Sequence, residues 1–212
     1  MLNFEDFFVT CSGTWTTERI YHSTLTGEVE RSFTEFRVQQ ITQEQKQKIL
    51  SLSELGGIKV DLDNPQAVFP GFSIAFDTVS EKGEKVSMSL QALFVADTYV
   101  LETSGSATEI PPPPLAAQVV NAPDTELLTG FYLRDEGYSE AGAIAGRFTY
   151  QTTRQTLEMT TYYRRSVAVD QMRLISPDMR LRTIVTYERP SIGEQPTIID
   201  LVGFGVERRQ AA

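Results

Sequence analysis

The chain of 212 residues has a single cysteine, Cys11, and a single histidine, His22. One cysteine cannot form an internal disulfide. One cysteine and one histidine are also too few for a cysteine-based or multi-histidine metal centre, so we expect no metal site. His22 is the only side chain that could act as a histidine base. Taken alone, it is interpreted as a surface or strand-edge residue rather than a base.

Long apolar runs and targeting segments are also missing. No run approaches the roughly 20 residues that a membrane-spanning helix needs. The N-terminal sequence Met-Leu-Asn-Phe-Glu-Asp has neither a basic segment nor the apolar core of a signal peptide. We therefore expect a cytoplasmic protein that does not enter a membrane.

Basic residues are in the minority. The chain has 19 Lys and Arg against 28 Asp and Glu, which gives a formal net charge of -9 and an isoelectric point near 4.7. This balance argues against a protein that binds nucleic-acid phosphates.

Two common catalytic signatures are absent as well. The Gly-Phe-Gly-Val run at 203–206 lies at the end of a predicted strand and opens no helix, so it is not a nucleotide-binding fingerprint. There is no G-x-S-x-G nucleophile elbow, and a Ser–His–Asp triad would have to use His22. Ordinary hydrolase and dehydrogenase chemistry is therefore not expected.

The chain does contain enough apolar material for a sizeable core, with 41% apolar and 10% aromatic residues. A brief helix is predicted at Phe4–Thr10, with Asn3 as its N-cap. The clearest helix is Gln43–Glu54, because Thr42 and Gln45 form a capping box in front of an apolar stripe.

Most of the remaining chain consists of short runs rich in β-branched and aromatic residues. The predicted strands are Trp15–Tyr21, Ser32–Gln39, Ala67–Phe76, Lys85–Leu93, Thr98–Thr103, Thr129–Leu133, Ala143–Tyr150, Thr156–Tyr163, Val167–Leu174, Arg180–Glu188 and Ile198–Glu207. About ten strands and one good helix predict a mainly β protein, an antiparallel barrel with a helix at its mouth or flank.

The run Ile110-Pro111-Pro112-Pro113-Pro114 has two interpretations. It is either a polyproline linker between two domains or a loop between strands of one sheet. We favour the loop, because neither half of the chain has a closed pattern of its own, and we expect a single domain spanning 1–212.

A compact group of distinctive side chains lies around the first predicted strand: Gly13, Trp15, Arg19 and His22. A glycine and a tryptophan at this place commonly close one end of a small barrel by packing, and that structural role is the first interpretation of Trp15. Strand parity places Trp15 and Arg19 on one face with Tyr21, and His22 on the other face unless a β-bulge intervenes.

Two arginines stand one residue apart in the strand-like run Met-Arg-Leu-Arg-Thr-Ile-Val-Thr-Tyr. Parity puts Arg180 and Arg182 on one strand face, roughly 6.6 Å apart along the backbone, where one ligand with two carboxylates can engage both. The alternative is a solvated face with the apolar neighbours turned to the core. Asp170, in the preceding strand, can reach the arginines across a hairpin turn at 176–178.

Together these two regions resemble the S-type phycobiliprotein bilin lyases, the CpcS/CpeS family. That family opens with F-F-x-x-x-x-G-x-W-x-x-x-R and a histidine shortly after, here Phe7-Phe8, Gly13, Trp15, Arg19 and His22. Near the C-terminal end it carries an acidic residue, a hydrophobic strand, a turn similar to Asn-Pro-Asn and L-R-L-R-T. The matching residues are Asp170, Met172–Ile175, Ser176-Pro177-Asp178 and Met179–Thr183. The two motifs lie in the family's order and span nearly the whole chain.

The resemblance implies a lipocalin-like or fatty-acid-binding-protein-like antiparallel β-barrel of about ten strands, with one or two short helices near the N-terminus. It implies noncovalent binding of an open-chain tetrapyrrole (bilin), phycocyanobilin or phycoerythrobilin, as substrate and no permanently bound cofactor. The bilin would be attached through a thioether to a cysteine of an apo-phycobiliprotein subunit. The compartment would be the cytoplasm of a cyanobacterium or a plastid stroma.

Carried over residue by residue, the resemblance assigns roles within the barrel. Arg180 and Arg182 would hold the two propionates of the bilin. Asp170 would accept hydrogen bonds from pyrrole N–H groups and favour the protonated, electrophilic chromophore, with Arg19 and His22 near the same pocket. The catalytic candidates are therefore Asp170, Arg19 and His22, and the candidate bilin-binding residues are Arg180, Arg182, Trp15, Phe72 and Phe76.

The chain departs from the family pattern at positions that bear on bilin type. Ile184 follows the arginine motif where serine is usual, Phe72 and Phe76 stand where some members have tryptophan, and Asp170 replaces a commoner glutamate. The last strand offers a further acidic candidate, Asp200 or Glu207. Two other functions are kept open: a bilin carrier, and a non-catalytic subunit of a heteromeric lyase. A homodimer and a heterodimer with a related lyase are open as well.

Overall fold

The computed structural model of the protein describes residues 1–108, 110–118, 127–138 and 140–211. Its helices are α1 (Phe4–Cys11) and α2 (Gln43–Leu55). Its strands are β1 (Gly13–Ser23), β2 (Val29–Gln40), β3 (Ile58–Val60), β4 (Gly71–Ser80), β5 (Lys85–Ala96), β6 (Val100–Thr103), β7 (Leu127–Arg134), β8 (Ile144–Gln151), β9 (Thr156–Tyr162), β10 (Ser166–Ser176), β11 (Met179–Glu188) and β12 (Ile199–Arg209).

Ten of these strands close into an antiparallel barrel in the order β1-β12-β11-β10-β9-β8-β7-β5-β4-β2. The remaining two, β3 and β6, pair with each other in a small separate sheet. Closure removes the exposed edges that an open sheet of this size would present. The predicted mainly β fold, an antiparallel barrel of about ten strands with one or two short helices, is confirmed.

Each helix has the cap that the sequence predicts. The Asn3 side chain accepts a hydrogen bond from the backbone N–H of Asp6 at 2.8 Å. The Thr42 hydroxyl accepts from the N–H of Gln45, whose side-chain oxygen accepts from the N–H of Thr42, so the capping box is complete. Across the described ranges, no helix is long and apolar enough to cross a membrane.

The two helices occupy different places on the barrel. The aromatic face of α1 enters the barrel interior, where Phe7 and Phe8 are buried against Phe94 and Tyr150. It closes the end of the barrel at which β1 begins and β12 ends, and the Arg209 side chain donates to the carbonyl of Thr10 there. The other helix, α2, lies on the barrel flank and packs its apolar residues on the outer face of β5 and β7.

Two predicted strands differ clearly from the structure, and one short strand, β3, was not predicted. The strand predicted at Ala67–Phe76 begins only at Gly71, because Pro70 has no N–H to donate into a ladder. The run Thr98–Thr103 does not join the barrel: Thr98 and Tyr99 lie in a short 3-10 turn, and only Val100–Thr103 forms β6. Its partner β3 has three residues, too few for alternation to indicate a strand.

The proline run lies against the outside of the barrel. It leads into a short helical turn, Leu115–Ala117, between β6 and β7. Ala117 packs with Val167 and Val169, which point outwards from β10, and with Tyr187. The backbone N–H of Ala116 donates to the Tyr187 hydroxyl at 3.3 Å. The segment before residue 119 therefore covers part of the barrel wall.

Candidate functional site

The barrel encloses a cavity of about 370 Å³ above the aromatic core. This size falls within the roughly 300–1,000 Å³ typical of small-molecule sites. Aromatic and apolar side chains from β2, β4, β7 and β9 form much of its wall. Its ionisable lining groups, apart from tyrosines, are Arg19, Arg134, Asp170 and Arg182. A largely apolar cavity with a few charged groups suits an amphipathic ligand.

Asp170 and Arg182 form an ion pair on one wall of the cavity. They lie on the neighbouring strands β10 and β11, and Arg182 Nη2 donates to Asp170 Oδ2. The other carboxylate oxygen, Oδ1, is buried and has no hydrogen-bond partner among the described residues. A buried acceptor without a partner costs free energy, so this oxygen is free to accept a donor from a ligand.

Glu207 joins three arginines beneath the cavity. Its carboxylate lies 2.7 Å from Arg180 Nη2, 3.2 Å from Arg19 Nη2 and 3.8 Å from Arg182 Nη1. The residue is 0% exposed. The sequence offered either Asp200 or Glu207 as a further acidic candidate in the last strand. Glu207 is the one that joins the arginines, and Asp200 lies near the opposite end of β12.

The contacts of Glu207 and Arg182 with their charged neighbours shift the pKa values of these two groups. Burial alone would raise the pKa of Glu207, but the guanidinium groups of Arg180, Arg182 and Arg19 hold it below its ordinary value. Burial alone would lower the pKa of Arg182, whereas Asp170 and Glu207 raise it well above its ordinary value. Both groups are therefore charged around neutral pH.

Gly205 makes this arrangement sterically feasible. In the barrel register it lies between Arg19 of β1 and Arg182 of β11, directly opposite each. A Cβ atom at Gly205 would lie 2.8 Å from Thr17 Oγ1 and 3.2 Å from Arg19 Cγ. The Gly-Phe-Gly run that opens no phosphate site thus leaves room for the arginine side chains inside the barrel.

Arg180 and Arg182 both point inwards, but only Arg182 lines the cavity. Arg180 is 2% exposed, and its Cζ lies 3.9 Å from the centre of the Trp15 ring. Trp15 is itself fully buried in the core. Neither Arg180 nor Trp15 lines the cavity, since both are buried beneath it, and this position does not support the predicted contact with a ligand. The packing interpretation of Trp15 describes its position correctly.

The two candidate phenylalanines of β4 lie at different depths. Phe76 lines the cavity, with its ring centre 5.9 Å from that of Tyr138. Phe72 packs against Phe8 and Phe94 in the aromatic core and is not among the lining residues. The position of Phe76 therefore supports its prediction as a binding residue, whereas the position of Phe72 does not support that role.

His22 lies on the outer face of the barrel. It is exposed, and its ring stacks on that of Phe204 at 5.8 Å. Inward-facing Tyr21 precedes it on β1, and regular pairing with β12 runs through both residues, so no bulge turns His22 inwards. The expectation that His22 shares the pocket with Asp170 is wrong, and strand parity was the better guide.

Cys11 is unsuited to nucleophilic chemistry. It ends α1 within the core and is 3% exposed. Burial raises the pKa of its thiol despite the nearby Arg180 guanidinium, which favours the unreactive neutral form. Its carbonyl accepts a hydrogen bond from Trp15 Nε1 at 3.0 Å, so its position is structural.

Sequence reasoning missed a charged residue of the cavity, Arg134, at the end of β7. It lies among three tyrosines, and its Nη2 donates to the Tyr163 hydroxyl at 2.9 Å. The predicted strand stopped at Leu133, one residue short. Alternation of the β7 sequence would have placed Arg134 on the same face as Tyr132.

Known proteins similar to this one agree on its family. A family model described as CpeS-like protein matches residues 3–106 and 114–210. The chain is 39% identical over 206 residues to a protein named Chromophore lyase CpcS/CpeS 1 from Synechococcus sp. (strain JA-3-3Ab), covering 97% of this chain and 96% of the relative. The resemblance drawn from the two sequence motifs is thereby confirmed.

The fold is similar to that of a solved structure, the S-type phycobiliprotein lyase CPES from Guillardia theta. The TM-score is 0.67 at 16% identity, and the match covers 100% of this chain and 94% of that chain. At this identity the likeness concerns the fold alone. The matching family model and the 39% identical relative show the family: the chain belongs to the CpeS-like protein family.

Proposed function

We propose that the protein is a chromophore lyase that binds a bilin in the barrel cavity and promotes its thioether attachment to a phycobiliprotein cysteine. The observation that carries the proposal is the wall formed by Asp170, Arg182 and Arg19 in a largely apolar cavity. A bilin combines an extended apolar ring system with two propionates and several pyrrole N–H groups. The name of the 39% identical relative supports the same activity.

The cationic side of this wall suits a propionate. Arg182 and Arg19 line the cavity, and the Nε atom of each is buried without a hydrogen-bond partner in the described part of the chain. An arginine fork binds a carboxylate through charge-assisted hydrogen bonds. Because Arg180 is committed to Glu207 and Trp15, we assign the propionate to Arg182, with Arg19 beside it.

Asp170 supplies the complementary acceptor. Its unpaired Oδ1 can accept hydrogen bonds from pyrrole N–H groups, and its negative charge favours the protonated tetrapyrrole. A protonated tetrapyrrole is the better electrophile. The bilin expected here is phycocyanobilin or phycoerythrobilin, both of which offer an ethylidene group to a thiol.

The attachment itself is an addition. The sulfur of the acceptor cysteine forms a C–S bond to the ethylidene carbon, and the ethylidene π bond breaks. The thiol loses its proton, and the ring carbon at the other end of that double bond gains one. No group leaves and no oxidant is needed. The sulfur comes from the acceptor, since Cys11 is buried. The role of the lyase is to hold the bilin so that its ethylidene group meets that thiol.

A reconstitution assay tests this function. Purified protein is mixed with phycocyanobilin or phycoerythrobilin and an apo-phycobiliprotein subunit, and the adduct is followed by absorbance and by mass after denaturation. We expect a covalent adduct with the native-like spectrum only when the protein is present. Omission of the protein gives the spontaneous background.

The same assay separates the alternatives. Bilin binding without an adduct above background would favour a carrier. An adduct that needs a second, related lyase chain would favour a subunit of a heteromeric lyase. If neither bilin binds, the proposed ligand class is wrong.

Replacing Asp170 by asparagine is expected to change the spectrum of the bound bilin more than its affinity. Asparagine retains an acceptor but loses the charge that favours the protonated tetrapyrrole, so the long-wavelength band should shift and weaken. Absorbance titration measures both quantities. Asp77→Asn, an exposed acid on the outer face of β4, is the matched control and should alter neither. An unchanged spectrum in Asp170→Asn would argue against contact with the pyrroles.

A further inference from the structure

Arg134 is a buried charge without a countercharge in the described part of the chain. It is 2% exposed, its Nε is buried without a hydrogen-bond partner, and no described carboxylate lies within 4.0 Å of its guanidinium. Its Cζ lies 4.6 Å from the ring centre of Tyr138 and 5.6 Å from that of Tyr132. Ring faces attract a cation but do not neutralise it.

The acidic groups of the adjoining loop are engaged elsewhere. Glu136 accepts a hydrogen bond from the backbone N–H of Gly142 at 3.3 Å. Asp135 pairs with Lys48 at 3.6 Å and accepts from the backbone N–H of Gln91 at 2.7 Å. Glu140 accepts from the backbone N–H of Arg164 and lies 3.8 Å from its side chain. Burial raises the pKa of both Tyr132 and Tyr163, so neither phenol supplies a negative charge near neutral pH.

The cavity lining therefore carries an excess of positive charge. Among its described residues, three arginines (Arg19, Arg134 and Arg182) and one carboxylate, Asp170, line the cavity. The Arg180–Glu207 pair beneath the floor is neutral as a unit. The formal charge of the lining is thus plus two, which matches a ligand with two carboxylates. Burying that charge without a ligand is costly.

Arg134 lies on the wall opposite Arg182. Its strand, β7, stands four strands from β11 in one direction round the barrel and six in the other. Both side chains line the cavity. An elongated dianion spanning the cavity can meet one arginine at each side.

We propose that Arg134, held by Tyr132, Tyr138 and Tyr163, binds the second carboxylate of the tetrapyrrole. The inference rests on the proposed function and deepens it, because it replaces a clamp of two neighbouring arginines with anchors on opposite walls. Arg180 cannot serve as the second anchor, since it is sealed against Trp15. Tyr163 orients the guanidinium through its hydroxyl.

The test compares a bilin with its dimethyl ester, in which both carboxylates are uncharged. Arg134→Gln is titrated with phycocyanobilin and phycocyanobilin dimethyl ester by absorbance, or with the phycoerythrobilin pair if wild type binds only that. We expect Arg134→Gln to bind the diacid about 10- to 150-fold more weakly, the loss of one charge-assisted contact. Its affinity for the ester should stay close to that of wild type.

Arg147→Gln is the matched control. Arg147 also lies over an aromatic ring, with its Cζ 4.4 Å from the centre of Phe131, but it is paired with Asp97 on the outside of the barrel. The Arg147→Gln variant should bind the bilin diacid and its dimethyl ester as wild type does. Equal loss of diacid and ester affinity in Arg134→Gln, or no loss, would overturn the proposal.

Whether the variants fold separates a ligand-binding role of Arg134 from a structural one. Because the proposal makes Arg134 an uncompensated charge in the free protein, its removal should not destabilise the fold. If Arg134→Gln does not fold, Arg134→Met takes its place in the same titrations. Failure of both variants to fold while Arg147→Gln folds would give Arg134 a structural role and overturn the inference. Wild type that binds neither bilin would instead contradict the proposed function itself.

Discussion

Replacing Glu207 by glutamine should lower the free energy of unfolding by about 3–5 kcal/mol, the cost of removing one partner from a buried ion pair. The carboxylate is 0% exposed and neutralises Arg180 at 2.7 Å while also contacting Arg19 and Arg182. Glutamine has the same shape but no charge, so the guanidinium of Arg180 would stay buried without compensation. Urea or thermal denaturation measures the change.

Glu35→Gln is the matched control for this prediction. Glu35 also pairs with an arginine, Arg37, at 3.0 Å, but its side chain is 45% exposed. Exposed pairs contribute about 0–1 kcal/mol, so the control should unfold almost as wild type does. A Glu207→Gln variant as stable as Glu35→Gln would contradict the role of Glu207 as the charge centre of the core.

The same residue contributes to the acid dependence of stability. The folded-state pKa of Glu207 is lowered relative to its ordinary value of about 4.3. Its contribution is therefore complete above that ordinary value and is lost as the pH falls through the lowered folded-state pKa. We expect wild type to lose stability over that acid range more steeply than Glu207→Gln.

Replacing Arg182 by glutamine should weaken bilin binding by about 1.5–3 kcal/mol, the contribution of a hydrogen bond to a charged group. Arg182 lines the cavity, contacts Asp170 and has an unpaired Nε among the described residues. Absorbance or fluorescence titration with the free bilin measures the affinity. Asp170 would also lose its partner, so the bilin spectrum should change together with the affinity.

Arg173→Gln controls for the loss of one positive charge. Arg173 lies on the neighbouring strand β10, but it is exposed on the outer face. Its replacement changes the net charge by the same amount and should leave bilin affinity unchanged. Equal affinities of Arg182→Gln and Arg173→Gln would show that the propionate is not held at Arg182.

Strand parity predicted much of the site. It placed Arg180 and Arg182 on one face and His22 opposite Arg19, and the structure has both relations. Parity carries no information on depth along the barrel. Arg180 lies only two residues from Arg182, yet α1 and Trp15 seal it below the cavity floor. That difference depends on how the distant N-terminal segment closes the barrel.

Other features depend on pairing between strands far apart in the chain. Glu207 meets Arg180 because β12 pairs with β11, and it reaches Arg19 because β1 flanks β12 on the other side. Local patterns of the last strand do not reveal either neighbour. Arg134 joins the cavity from β7, four strands from the arginine motif, so no sequence spacing connects the two.

The central claim is that the bilin lies inside the barrel against Asp170 and Arg182, and a crystal structure of the bilin complex tests it most directly. We predict bilin density in the cavity, with a propionate oxygen within hydrogen-bond distance of Arg182 and pyrrole nitrogens facing Asp170. The outer face carries a larger, open groove of about 1090 Å³ lined by apolar residues including Phe33, Leu181 and Phe204. Density in that groove, with the cavity empty, would contradict the account.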